Sequence, residues 1–261
     1  MNETIVMLHG MWCGGWVWDN YKIFFEQKGF NCITPTLRLH DVDPNKPPNP
    51  ELGITSVLDY VEDINNLVST LEKPPILMGH SMGGMLAQIV GSQIPTKAIV
   101  CITTAGPFGI SLIQPLSVLR SFISISTKWN WWKKPMRQTF KEAAYSMLHL
   151  LPIEEQRRIY NRLVFDSGRA LFETGYMKFD SKKACRFDES KITGPILFIS
   201  SKEDRIIPSS SVKKCASKYN NSTYKEFGNH AHWIIGEQGW QDVCEYINNC
   251  LGNIQVKRRL L

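Results

Sequence analysis

The chain has 261 residues, 43% hydrophobic and 21% charged, which is enough apolar material for one sizeable core and too much for a disordered chain. Thirty Lys and Arg against 24 Asp and Glu leave a formal charge of +6, and no basic run is interleaved with a nucleic-acid module, so nucleic acid is not an expected partner. Seven cysteines, an odd number without a C-x-x-C pair, speak against a disulfide framework or a zinc ribbon.

In chain order, Met1-Asn2-Glu3-Thr4 leads straight into an apolar run, without the charged and apolar regions of a secretory signal. No stretch reaches the ~18 uninterrupted apolar residues of a membrane-spanning helix. A reducing, cytoplasmic setting is expected. Six short apolar runs, 4–9, 30–35, 75–79, 97–103, 195–201 and 223–227, predict strands covered on both faces. Helix-length segments alternate with them at 17–28, 54–71, 82–94, 209–219 and 238–251. In 54–71, apolar residues from Ile54 and Val57 to Leu71 recur at spacings of three and four, predicting one buried helical face. The alternation predicts an α/β fold: a doubly wound, mostly parallel sheet of about six strands.

Between the fourth and fifth runs lie about ninety residues, too many for an unstructured loop. They predict a helical cap inserted after the fourth strand, which divides the chain into a core (1–105 and 191–261) and a cap (106–190). Within the cap, 106–141 holds Arg120, Lys128, Lys133, Lys134, Arg137 and Lys141 and no acid, so it carries a charge equal to that of the whole chain. Its mixture of these cations with Ile, Leu, Phe and Trp suits contact with an anionic membrane interface. Basic residues facing water on a cap helix are the plainer alternative.

Gly79-His80-Ser81-Met82-Gly83 follows the third strand and opens a helix. A serine on so sharp a turn needs small neighbours two residues away on each side, and the turn lifts its hydroxyl to the positive end of a helix. A serine nucleophile needs a base, and the base needs an orienting acid. Asp204 heads a polar turn after the fifth strand, and His230 and His232 follow the sixth, so the acid and either histidine come in the chain order this architecture expects. Backbone N–H groups for an oxyanion hole are expected from Met82, directly after the serine, and from Met11 in the loop after the first strand.

His9-Gly10, Gly79-His80-Ser81-Met82-Gly83-Gly84, Asp204-Arg205-Ile206-Ile207-Pro208 and His232-Trp233-Ile234-Ile235-Gly236-Glu237 together resemble the α/β-hydrolase superfamily over nearly the whole chain. The last stretch resembles the family's His-aromatic-x-x-x-Glu segment, which selects His232 as base and leaves His230 either supporting that base or lining the pocket. Ser167-Gly168-Arg169-Ala170 and His230-Ala231-His232-Trp233 look like a bacterial subgroup of small hydrolases. The plainer role for Arg169 is an i,i+4 ion pair with Glu173. Family members carry an antiparallel strand pair before the His-Gly loop that this chain lacks, so a reduced, all-parallel sheet is expected.

The resemblance implies a serine esterase acting on a small or medium apolar or aromatic carboxylic ester, needing no metal or cofactor. Acyltransferase, thioesterase and lactonase chemistry would use the same residues. The alternative from a different class is a non-hydrolytic receptor or carrier. The eight tryptophans fall in three groups. Trp12, Trp233 and one of the cap group, Trp132, are expected in the pocket wall, whereas Trp16 and Trp240 are expected in the core.

Overall fold

The computed structural model describes residues 3–110 and 116–259. Met1 and Asn2 of the N-terminal reading and residues 111–115 of the basic segment lie outside the described residues. The first half of the chain alternates strand and helix: β1 (Thr4–Leu8), α1 (Asp19–Gln27), β2 (Asn31–Ile33), α2 (Val57–Ser69), β3 (Ile76–His80), α3 (Met82–Gly91) and β4 (Ala98–Ile102). An insertion follows, with α4 (Leu116–Ser121), α5 (Ile123–Ser126), β5 (Pro135–Met136), α6 (Phe140–Ser146), α7 (Ile153–Tyr160), β6 (Asp166–Ser167) and α8 (Gly168–Gly175). The alternation then resumes with β7 (Ile196–Ser201), α9 (Ser209–Ala216), β8 (Ser222–Phe227) and α10 (Trp240–Arg259).

Six strands form one sheet in the order β2-β1-β3-β4-β7-β8, every pair parallel. β3, β4 and β7 are buried along their whole length, as their unbroken apolar runs require, whereas the edge strand β8 has no fully buried residue. From β1 the chain steps outward to β2 and then back past β1 to β3. Right-handed crossovers therefore put α1 and α10 on one face and α2, α3 and α9 on the other. Accordingly α1 packs on α10, and α2 on α3. The reversal leaves the loops after β1 and β3 diverging at their carboxyl ends, which is where such sheets bind ligands.

α2 shows how local chemistry sets a boundary. Ser56 and Asp59 make a reciprocal capping box, so the helix starts at Val57 and buries Val57, Tyr60, Val61, Ile64 and Val68 on one stripe. Burial of each aliphatic side chain of that stripe is worth about 1.5–3 kcal/mol. The expected helix over 54–71 is thus shortened at its start. Ile54 ends a separate 3-10 turn, Pro50–Ile54, and is 63% exposed instead of buried.

In the insertion, the helices α6 and α7 stop at Ser146 and Tyr160, and an antiparallel pair, β5 with β6, was not foreseen. Ser167 leaves that pair to cap α8, its hydroxyl accepting from the Ala170 N–H. The expected Arg169–Glu173 ion pair forms at 2.6 Å. Glu173 is fully buried because it also accepts from the Val57 N–H at 2.7 Å and from the Ser56 hydroxyl, so α8 is moored to the positive end of α2. Among the described residues no helix is long and apolar enough to cross a membrane.

Candidate active site

Ser81 joins β3 to α3 at φ +55°, a left-handed conformation that costs a non-glycine residue of order 1–3 kcal/mol and persists only where the surroundings enforce it. The enforcement is steric and polar. A Cβ on Gly79 would run into the Gly83 carbonyl, and one on Gly83 into the Leu8 carbonyl, so neither position tolerates a side chain. The Ser81 N–H donates to the Ile102 carbonyl at 3.0 Å, and its own carbonyl accepts from Ala105 at 3.1 Å.

The other two polar partners arrive from the ends of β7 and β8. His232 faces Ser81 with Nε2 3.0 Å from the hydroxyl oxygen, and its Nδ1 lies 2.8 Å from Asp204 Oδ2. The carboxylate accepts the Nδ1 proton, so Nε2 is left to accept from the serine. Asp204 is fixed in turn, Oδ1 accepting from the Ile206 and Ile207 N–H groups at 2.8 and 2.9 Å. All three residues come from different strand ends, and the sheet brings them into one hydrogen-bonded line.

The loop carrying the histidine has its own supports. His80 donates from Nε2 to the His232 carbonyl at 2.8 Å, and burial together with the neighbouring His232 ring lowers the His80 pKa to about 3. Glu237 Oε2 accepts from the Ala231 N–H at 2.9 Å and from His230 Nδ1 at 3.1 Å. Of the two roles expected for His230, it therefore has the supporting one, as a brace for the His232 turn; it is not part of the cavity wall, which corrects its placement in the pocket.

On the opposite side, the β1 loop presses against Ser81, and a Cβ on Gly10 would sit 2.9 Å from that of Ser81. Met11 and Met82 both border the space in front of the serine. Met82 occupies the first position of α3, where an N–H has no intrahelical acceptor, so it can donate to a bound anion. Trp12 holds the β1 loop in place from φ +65° through three hydrogen bonds, all to the insertion. Its N–H donates to Asp166 at 2.7 Å, its carbonyl accepts from Val164 at 2.8 Å, and its indole donates to the Met136 carbonyl at 3.2 Å.

Asp166 is buried beside His40 at 3.1 Å, in a charge contact whose geometry falls outside a directed hydrogen bond. Burial opposes charge on both, yet the mutual attraction prevails. His40 stays above the ordinary histidine pKa and Asp166 below the ordinary carboxylate value. His9 lies next to the pair with ring centroids 5.5 Å apart, and burial plus the charge on His40 pushes its pKa down to about 3. It accepts from the Leu37 N–H at Nε2, so Nδ1 donates to the Gly10 carbonyl. None of Asp166, His40 and His9 had an assigned role. The available signal was an acid at the end of the apolar run 163–165.

The cavity in front of Ser81 holds about 910 Å³, its open mouth included. Trp12, Phe122, Ile125, Trp131, Leu171 and Ile206 give it an apolar wall, and among the described residues the only titratable side chains on it are His232 and the phenol of Tyr176. Two expected wall residues are elsewhere. Trp233 follows His232 on a tight turn and so points away, packing between Trp16 and His80. Trp132 is turned out of the cavity because adjacent residues of the 3-10 turn Trp131–Lys133 diverge, and it meets Trp131 edge-on from outside. Trp131 is the cap tryptophan that faces inward.

Comparison with known proteins agrees with the fold. A family model described as "Alpha/beta hydrolase family" matches residues 5–245. Methylesterase 8 of Arabidopsis thaliana is 25% identical over 214 residues, covering 79% of this chain and 74% of that protein. The alpha-hydroxynitrile lyase of the same plant is 22% identical over 241 residues, covering 88% and 90%. The crystal structure of polyneuridine aldehyde esterase superposes with a TM-score of 0.71 at 18% identity, covering 98% of this chain and all of that one.

Proposed function

The chain belongs to the alpha/beta hydrolase family, and within it we propose a serine esterase that cleaves a neutral, apolar carboxylic ester through an acyl-enzyme. Its catalytic triad is Ser81, His232 and Asp204. The Ser81 oxygen attacks the ester carbonyl while its proton passes to His232 Nε2, and Asp204 holds the imidazolium that results. The developing oxyanion lies at the positive end of α3, between the N–H groups of Met82 and Met11. Collapse expels the alcohol, which takes the proton from Nε2. Water then enters, gives a proton to the same nitrogen and attacks the acyl carbonyl, and the serine leaves with that proton restored. Each bond and proton is accounted for by these groups.

What carries the reading is the hydrogen-bonded line from Asp204 through His232 to Ser81, opening onto an apolar cavity. The cavity wall supports a substrate without charge, since an ionised group there would lose its hydration without a partner. The insertion serves as lid, and the seven unpaired cysteines support a reducing, cytoplasmic setting. Relatives named as methylesterases point to the same reaction class.

The experiment is a hydrolysis screen over p-nitrophenyl esters of increasing acyl length, with Ser81→Ala as control. Saturable turnover of apolar esters is expected, lost by about 10⁴-fold or more in the variant. Equal rates for the two proteins would overturn the assignment.

A further inference from the structure

The cavity opens between two lips of the insertion, and both are apolar and basic. Leu119 on one lip and Tyr176 on the other line the cavity while being 54% and 40% exposed, which puts them at its rim. Outward from Leu119 the chain presents Ile123 and then Trp129, 81% exposed. Outward from Tyr176 it presents Phe179, 78% exposed and one 3-10 turn away, its N–H donating to the Tyr176 carbonyl. Exposed aromatic residues on both sides of one apolar opening are costly in water and mark a surface that docks on something.

The charges around the rim say what kind of surface that is. On the first lip Lys128, Lys133 and Lys134 are exposed, and Lys134 donates to the Trp129 backbone carbonyl at 3.0 Å. On the second, Lys178, Lys182 and Lys183 are exposed. Between 116 and 141 the sequence has no acid at all, and between 170 and 187 it has only Glu173 and Asp180. Both of these are buried and bound to Arg169, so neither projects negative charge outward.

Exposed Trp and Phe flanked by lysines, with acids withdrawn, is the chemistry of an interface between water and anionic lipid. We propose that the rim of the cavity docks on an anionic lipid surface, with Trp129 and Phe179 entering the headgroup region and the flanking lysines held at the phosphates. The mouth then faces the layer in which an apolar ester dissolves. The proposal goes beyond the esterase assignment, because docking is read without catalysis.

The test is co-sedimentation of the full-length protein with vesicles of phosphatidylcholine alone or mixed with phosphatidylglycerol. Binding is expected to the mixed vesicles, to weaken with salt, and to be near background on neutral ones. Trp129→Ser with Phe179→Ser removes two exposed rings, and Lys128→Glu with Lys133→Glu reverses two exposed charges. Each pair is expected to lower partitioning at least tenfold. Lys213→Glu with Lys214→Glu on α9 is the control and is expected to keep partitioning within about twofold, because those lysines lie outside the two lips. No sedimentation at low salt, equal binding to neutral vesicles, or an equal loss in the α9 variant would overturn the proposal. So would a stable dimer that Trp129→Ser with Phe179→Ser dissolves while vesicles bind nothing, since the rim would then meet a second copy of the chain.

Discussion

Ser81, Asp204 and His232 stand on turns at the ends of parallel strands, whereas Phe122, Ile125 and Trp131 stand on short helices of the insertion, and the two groups face each other across one cavity. The first group is fixed by backbone: strand registers set the spacing, and N–H groups and carbonyls hold each side chain. The second is fixed by side chains, through ring packing around Trp131 and buried polar anchors at Glu173 and Asp166. Chemistry on this fold is thus carried by the part that changes least when side chains change, and substrate choice by the part that changes most. The two regions meet at Trp12, whose backbone the insertion grips beside the expected oxyanion site.

That junction is where the comparison breaks most easily. Asp166→Ala leaves the buried ring of His40 without its partner and frees the Trp12 N–H. A loss of about 3–5 kcal/mol in urea unfolding is expected. A fall in kcat of about 10²-fold with KM little changed is expected as well, because oxyanion donors act in the transition state. Asp166→Asn keeps an acceptor for Trp12 and should recover much of kcat. A folded Asp166→Ala protein with unaltered kcat would show that the insertion does not position the β1 loop.

A smaller effect separates the two adjacent tryptophans. Trp131→Ala deepens the cavity, so the preferred acyl chain should lengthen and kcat/KM for short esters should drop by about tenfold. Trp132→Ala removes a ring outside the cavity and should leave the chain-length optimum where it was. Matching shifts in both variants would mean that the wall is not the one described.

The mildest distinction is in pH. His9 and His80 are held neutral with pKa values near 3, below the ordinary histidine value, so the unfolded chain binds their protons more readily. Their contribution to stability is therefore full above the ordinary histidine pKa and is lost as pH falls from there toward 3. His40 has the opposite sign: with its pKa raised by Asp166, its contribution is full below the ordinary histidine pKa and is lost as pH rises through its elevated value. Melting temperature should accordingly pass through a maximum above the ordinary histidine pKa, and Asp166→Asn should flatten the alkaline side and change the acid limb too, because the Asp166 carboxyl itself titrates below its ordinary value.

How far each region could be read from sequence follows from the same contrast. The strands were legible because burial on both faces requires unbroken apolar runs, and the glycines at 79 and 83 flag a turn that admits no side chain there. Ser81, Asp204 and His232 could be chosen because sheet order constrains which strand ends converge. In the insertion no such constraint exists. Whether Trp131 or Trp132 faces inward depends on the phase of a three-residue 3-10 turn, and the sequence pattern there is aromatic at both positions. Asp166 and His40 lie 126 positions apart and join through tertiary packing alone, so neither residue's neighbourhood announces the pair. The two roles open to His230 could not be separated for a related reason: it shares a short motif with His232, and only the position of Glu237 turns it inward.

The central claim is that Ser81, activated through His232 and Asp204, takes up the acyl group. Rapid mixing with excess p-nitrophenyl ester tests it directly, followed by acid quench and peptide mass analysis. The expected result is a burst of one p-nitrophenolate per protein molecule and an acyl adduct on the peptide containing Ser81, both absent in Ser81→Ala. A folded protein that shows no burst and no adduct, or an adduct on another residue, would contradict it.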